Sequence, residues 1–308
     1  MTHAQTQGLF ERPAMLPDPD ARMRLERLVG MDDKIKRLAN MLGVLINPTG
    51  LQKWANQHRA TALVDVVLRR PPLVVLAGDV GSGKTELAET VGDLVARQED
   101  IDITLLPLSL SSRGQGRVGE MTQLISSAFE HACAQAAKYK STSGAARGGV
   151  ILLVDEADAL AQSRETQQMH HEDRAGVNAF IRGIDRMANG RLPAAVIMCT
   201  NRLTALDPAV RRRAADVMHF GRPTREQRRH LLDKWLSSLL SGPDIDALAA
   251  ATGNTAARNH GFTFSDLTQR LLPAIVLDAY PARGIDSARA LEIAQHMHPT
   301  PPFEEHRP

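Results

Sequence analysis

Residues Gly78-Asp79-Val80-Gly81-Ser82-Gly83-Lys84-Thr85 follow the pattern G-x-x-x-x-G-K-[ST] in full. These residue types at this spacing suit a phosphate chain. Glycines let backbone N–H groups turn inward, and the start of a following helix adds partial positive charge. Lys84 is placed to neutralise the β and γ phosphates. The Thr85 hydroxyl is a hard oxygen ligand for Mg²⁺. The other reading is a glycine turn carrying a surface lysine. An apolar run before the segment and a helical pattern after it favour the nucleotide reading, with ATP and Mg²⁺ as ligands.

Three further segments carry chemistry. Val150-Ile151-Leu152-Leu153-Val154 ends in Asp155-Glu156. An apolar strand that ends in two carboxylates delivers them to the edge where α/β sites form. Asp155 would hold Mg²⁺ through water, and Glu156 would orient or deprotonate the attacking water. Cys199-Thr200-Asn201 closes another apolar run, and the Asn201 amide can hold that water. Read alone, Asn201 would simply start a turn. Leu206-Asp207-Pro208-Ala209-Val210-Arg211-Arg212-Arg213 ends in three arginines. An arginine offered to a neighbouring subunit can neutralise transition-state charge. A solvated basic turn or a nucleic-acid patch is the plainer reading.

Alternating strands and helices are expected to position these groups. Short apolar runs at Leu73–Ala77, Ile101–Leu110, Val150–Val154 and Ala194–Thr200 read as strands, most of them buried on both faces. Helical spacing marks 21–45, 51–68, 86–98, 120–139 and 174–187, then most of 224–296. The pattern predicts an α/β fold with a parallel sheet sandwiched by helices, followed by a helical lid. Residues 1–24 read as a flexible leader, 25–222 as the large domain, 223–297 as the lid and 298–308 as a disordered tail. Arg228-Arg229-His230 reads as a solvated helix face, and Trp54 and Trp235 as packing residues.

Composition is compatible. A chain of 308 residues with 43% hydrophobic residues can build a large domain and a small one. With only 4% aromatics, the core is expected to be aliphatic. No apolar run reaches membrane-spanning length, and Cys133 and Cys199 lie too far apart to suggest a disulfide framework. A cytoplasmic location is therefore expected. A formal charge of +2 does not call for nucleic acid.

The four segments in this order, followed by a helical lid, resemble an AAA+ P-loop NTPase over about residues 25–296. Within that class the chain resembles the pachytene-checkpoint (thyroid-receptor-interacting) ATPases, remodellers of HORMA-domain proteins. It resembles their bacterial members, which are similarly short and sit in cyclic-oligonucleotide antiphage (CBASS) operons. The resemblance is carried by Asp155-Glu156-Ala157-Asp158-Ala159-Leu160-Ala161-Gln162-Ser163-Arg164, by Val177-Asn178-Ala179-Phe180 with Ile184-Asp185, by Thr200-Asn201, and by Arg213-Ala214. Arg213 lies twelve residues after Asn201, as that family's arginine finger does. Arg212 is its neighbour and the alternative finger.

The resemblance also implies a pore loop at Arg113-Gly114-Gln115-Gly116-Arg117-Val118-Gly119, although Gly114 and Gln115 stand where the family carries aromatics. A flexible glycine loop is the alternative there. Arg270 falls at the second arginine of the family's sensor 2, with Leu267 at the first; a surface position is equally open. The implied protein is a homo-hexameric ATPase whose expected partner is a HORMA-domain protein, alone or bound to a CD-NTase. No membrane and no direct nucleic acid are expected. A clamp-loader or initiator type of AAA+ protein and a general unfoldase are the competing classes.

Overall fold

Among the described residues, six strands form one sheet: β1 (Ala14–Leu16), β2 (Leu73–Gly78), β3 (Asp102–Ser109), β4 (Gly148–Asp155), β5 (Ala194–Thr200) and β6 (Ala214–Phe220), in the order β1-β3-β4-β5-β2-β6. The computed structural model describes residues 8–110, 119–141, 145–160, 171–255 and 258–303. The expected pore-loop residues Arg113, Gly114, Gln115, Gly116, Arg117 and Val118 lie outside the described residues, as do Ala161 to Arg164 and residues 1–7 and 304–308. Gly119 is described and precedes a helix with φ 84°.

The chain divides into two compact units. The first comprises Met1–Arg27, Asp33–Ala77 and Thr85–His219; the second comprises Leu28–Asp32, Gly78–Lys84 and Phe220–Pro308.

In the first unit β2, β3, β4 and β5 pair in parallel. Their apolar runs are continuous because both faces are covered. Val75, Leu106, Leu108, Leu152, Val154 and Met198 pack with Phe129, Ala132, Phe180 and Ile184. Phe129 and Phe180 come from the helices α6 (Glu120–Tyr139) and α7 (His171–Gly190) and meet edge to face at 5.3 Å. The intervening strand residues, among them Val74, Leu76, Ile103 and Ile151, are equally closed to solvent, as are Leu87, Val91 and Val95 of α5 (Lys84–Glu99). Each such aliphatic side chain contributes about 1.5–3 kcal/mol on burial.

Two strands depart from the sequence expectation. Residues 14–16, placed in a flexible leader, pair antiparallel with β3 as β1, Leu16 opposite Ile103. Helix α1 (Pro19–Leu25) follows, with the Asp18 carboxylate accepting from the Ala21 N–H at 2.9 Å. Burial of Leu16 and Ala21 explains why this segment is structured. Ala214–Phe220 lies within the expected large domain, but no strand was assigned there. It forms β6, with Met218 and Phe220 buried and His219 exposed between them.

The second unit is helical from Arg225 onward: α9 (Arg225–Leu236), α10 (Gly242–Ala251), a π-helical segment (Asp266–Leu271), α11 (Leu272–Ala279) and α12 (Ser287–His296). Reciprocal capping boxes start two of them, Thr224 with Gln227 and Ser241 with Asp244. Its core gathers Leu231, Leu232, Leu248, Phe262, Leu267, Leu271 and Ile275. Arg228, expected on a solvated face, is buried: its guanidinium donates to the Ala249 and Pro223 carbonyls. Trp54 and Trp235 are half-exposed rather than buried.

Candidate nucleotide site

Gly78 leaves β2 with φ 151°, and a Cβ there would lie 1.8 Å from the Phe220 carbonyl oxygen. Only glycine fits. Gly81 and Gly83 also take positive φ, 70° and 89°. Ser82 Oγ donates to the Asp79 carbonyl at 2.7 Å, and the Ser265 N–H donates to the Gly81 carbonyl at 3.1 Å. Lys84 is 6% exposed, and its Nζ donates to the carbonyls of Gly78 (2.9 Å) and Asp79 (2.8 Å). The loop thus holds its own ammonium in place. Val80 is exposed at the loop's tip. Asp79 is not a passive spacer: its Oδ2 accepts from Arg222 Nε at 2.7 Å.

The acidic residues belong to the first unit. Parallel pairing brings the C-terminal ends of β3, β4 and β5 to one edge, with Ser109 opposite Asp155 and Val154 opposite Met198. Asp155 Oδ1 accepts from the Glu156 N–H at 2.8 Å. Glu156 has φ 53°, a left-handed conformation uncommon for glutamate. Such backbone costs about 1–3 kcal/mol and concentrates at functional sites. Here it directs the side chain so that Oε2 accepts from Ser109 Oγ at 3.0 Å. Asp155 and Thr85, both half-buried, offer hard oxygen donors only, a set that fits Mg²⁺.

Asn201 is fixed by a residue to which no separate role was assigned. The Asp158 carboxylate accepts from the Asn201 N–H and Nδ2, both at 3.0 Å, from Thr200 Oγ1 at 2.5 Å and from the Arg202 N–H at 3.1 Å. Asp158 and Ser109 are therefore the supports of Asn201 and Glu156. The only signal for Asp158 was its place in the same acidic segment as Glu156.

Arg213 is held rather than loose. Its Nε and Nη2 donate to the two Asp185 carboxylate oxygens at 2.8 and 3.0 Å, and Nη1 to the Ala209 carbonyl at 3.3 Å. Donation to the Asp185 carboxylate raises its pKa above the usual arginine value. Arg211 and Arg212 are exposed.

Arg270 lies in the π-helical segment of the second unit, and its Nη1 donates to Asp266 Oδ1 at 2.6 Å. Asp266 is fully buried and also accepts from the Thr263 N–H, the Thr300 N–H and Thr300 Oγ1. Burial alone would raise its pKa. The bonds from Thr263, Thr300 and Arg270 outweigh burial and bring it down to about 2 from 3.8. A carboxylate with a depressed folded-state pKa stabilises above its unfolded pKa, and that stability is lost as pH falls through the folded value. Asp266→Asn should cost about 2 kcal/mol at pH 7. It should also flatten the loss of stability between pH 4 and pH 2, as read by denaturant unfolding of both proteins across that range. An unchanged acid slope would contradict this account of Asp266.

A glycine loop with an enclosed lysine at the end of one parallel strand, and paired acids at the end of another, define a P-loop ATPase. A family model described as "ATPase family associated with various cellular activities (AAA)" matches residues 74–222. The chain is 62% identical over 298 residues to CD-NTase-associated protein 6 of Escherichia coli (strain MS 115-1), covering 96% of both. It belongs to that family of AAA ATPases. The structure superimposes on a chain of the E. coli MS115-1 HORMA:CdnC:Trip13 complex with TM-score 0.88 at 61% identity, covering 96% of this chain and 97% of that one. It also matches the Rhizobiales Trip13 structure with TM-score 0.76 at 57% identity, covering 95% and 100%. Among the described residues, no helix is long and apolar enough to cross a membrane.

Proposed function

We propose that this chain is a ring-forming ATPase that uses ATP hydrolysis to remodel or disassemble a HORMA-domain protein complex, and so regulates bacterial antiphage cyclic-oligonucleotide signalling. The observation that carries the reading is similarity, at 61% identity over 96% of this chain, to a chain of the E. coli MS115-1 HORMA:CdnC:Trip13 complex. The ring is a homo-hexamer acting in the cytoplasm.

Within it, Gly78 to Thr85 hold the triphosphate, with Lys84 as counter-charge. Thr85 and Asp155 would hold Mg²⁺, which would supply charge neutralisation at the phosphates. Glu156 accepts the proton of the attacking water and Asn201 orients that water. Arg213, braced by Asp185, acts on the nucleotide of the neighbouring subunit, and Arg270 acts as sensor 2. Held residues suit these roles, because electrostatic catalysis depends on groups already in place.

The segment Arg113 to Gly119 grips substrate. Arginine can bind backbone carbonyls and acidic side chains where the family uses aromatics. Scrambling Gly114 to Val118 should leave ATP turnover intact and abolish release of the HORMA-domain partner from its CD-NTase, read by size-exclusion chromatography. Release at the wild-type rate would overturn the pore-loop role.

A further inference from the structure

Asp79 places a carboxylate inside a loop that receives a polyanion. An uncompensated negative charge there would repel the phosphates. Arg222 meets it: Nε donates to Asp79 Oδ2 at 2.7 Å, and both side chains are about 15% exposed, which limits solvent screening. The rest of the guanidinium is held by backbone. Nη1 donates to the Gly261 carbonyl at 2.5 Å and Nη2 to the Thr300 carbonyl at 2.7 Å.

Thr300 belongs to the stretch expected to be a disordered tail. It is anchored through its N–H and Oγ1 to the buried Asp266. Three residues on, the Phe303 N–H donates to Asp79 Oδ1 at 3.3 Å. The C-terminal segment therefore touches the phosphate loop directly and also holds the arginine that neutralises it. All these residues belong to the second unit.

We propose that Arg222 is a positioning residue for ATP binding, which cancels the Asp79 charge in the phosphate loop and is itself held by the C-terminal segment at Thr300. The inference rests on the nucleotide reading of the loop. It predicts an effect on KM rather than kcat, because the charge opposes the bound triphosphate in ground and transition states alike.

The test is steady-state ATP hydrolysis by the full chain with Mg²⁺, at low and high salt. Arg222→Ala should raise KM for ATP about tenfold at low salt, with the increase shrinking as salt rises. Its kcat should stay within about twofold. Arg222→Lys, which keeps the charge, should lie near wild type. The double variant Arg222→Ala/Asp79→Asn should recover most of the lost affinity, since the unpaired charge is gone.

A purely structural arginine would give no such recovery and no salt dependence, and either result would overturn the proposal. So would an unchanged KM. If Arg222→Ala fails to fold, deletion of 298–308 provides the second test. It leaves Arg222 in place without its Thr300 carbonyl and should raise KM several-fold, whereas wild-type KM would refute the role of the tail. Lys84→Ala separates the two levels. ATP binding that survives Lys84→Ala sinks the nucleotide reading, whereas its loss together with unaffected Arg222 variants sinks only this inference.

Discussion

Replacing Glu156 by glutamine should leave ATP bound and lower its hydrolysis about 10²–10⁴-fold, the contribution expected of a positioned general base. The amide keeps the size of the carboxylate and retains an oxygen to accept from Ser109 Oγ, which lies 3.0 Å from Glu156 Oε2. What it lacks is the basic oxygen that receives the water's proton. The phosphate loop is untouched, so affinity for ATP should survive. Phosphate release under saturating ATP, set beside equilibrium binding of a fluorescent ATP analogue, separates the two quantities. Wild-type turnover in this variant would remove Glu156 from the role of base.

The second large effect concerns Arg213. Its guanidinium is clamped by both oxygens of Asp185, so its direction is set before any nucleotide arrives. An arginine supplied across a subunit boundary is worth about 10³–10⁵ in turnover where it has been measured in related chemistry. Arg213→Ala should therefore bind ATP normally and lose hydrolysis by about 10³-fold or more. Mixing it with Lys84→Ala subunits should restore part of the activity, because those subunits lend an intact Arg213 to neighbours with intact loops. Arg212→Ala, which alters an exposed neighbour, should be far milder. Full activity in Arg213→Ala with loss in Arg212→Ala would reassign the finger.

The parts legible in the sequence share a physical reason. β2, β4 and β5 are closed on both faces, so their residues form unbroken apolar runs. β1 was missed because it is three residues long, next to Pro17 and at the sheet edge. β6 was missed because only its last three residues alternate in burial. The phosphate loop and Asp155-Glu156 were legible because their chemistry depends on fixed local spacing.

The supports of the site were not legible, because each is a pairing at long range. Asp158 reaches Asn201 across 43 residues of chain, Arg213 reaches Asp185 across 28, and Arg222 reaches Asp79 across 143. Nothing in the spacing of such pairs announces them. The tail shows the same limit. Proline-rich composition suggested disorder for 298–308, yet Thr300 and Phe303 bond to Asp266 and Asp79.

The central claim is that ATP turnover drives disassembly of a HORMA-domain complex. The most direct measurement mixes this ATPase with its HORMA-domain partner bound to the CD-NTase, adds ATP and Mg²⁺, and follows dissociation and phosphate release together. The account predicts that the complex falls apart in step with phosphate release, and that Glu156→Gln binds the complex with ATP without dissolving it. A complex that stays whole while wild-type enzyme hydrolyses ATP, or that dissolves equally well with Glu156→Gln, would contradict it.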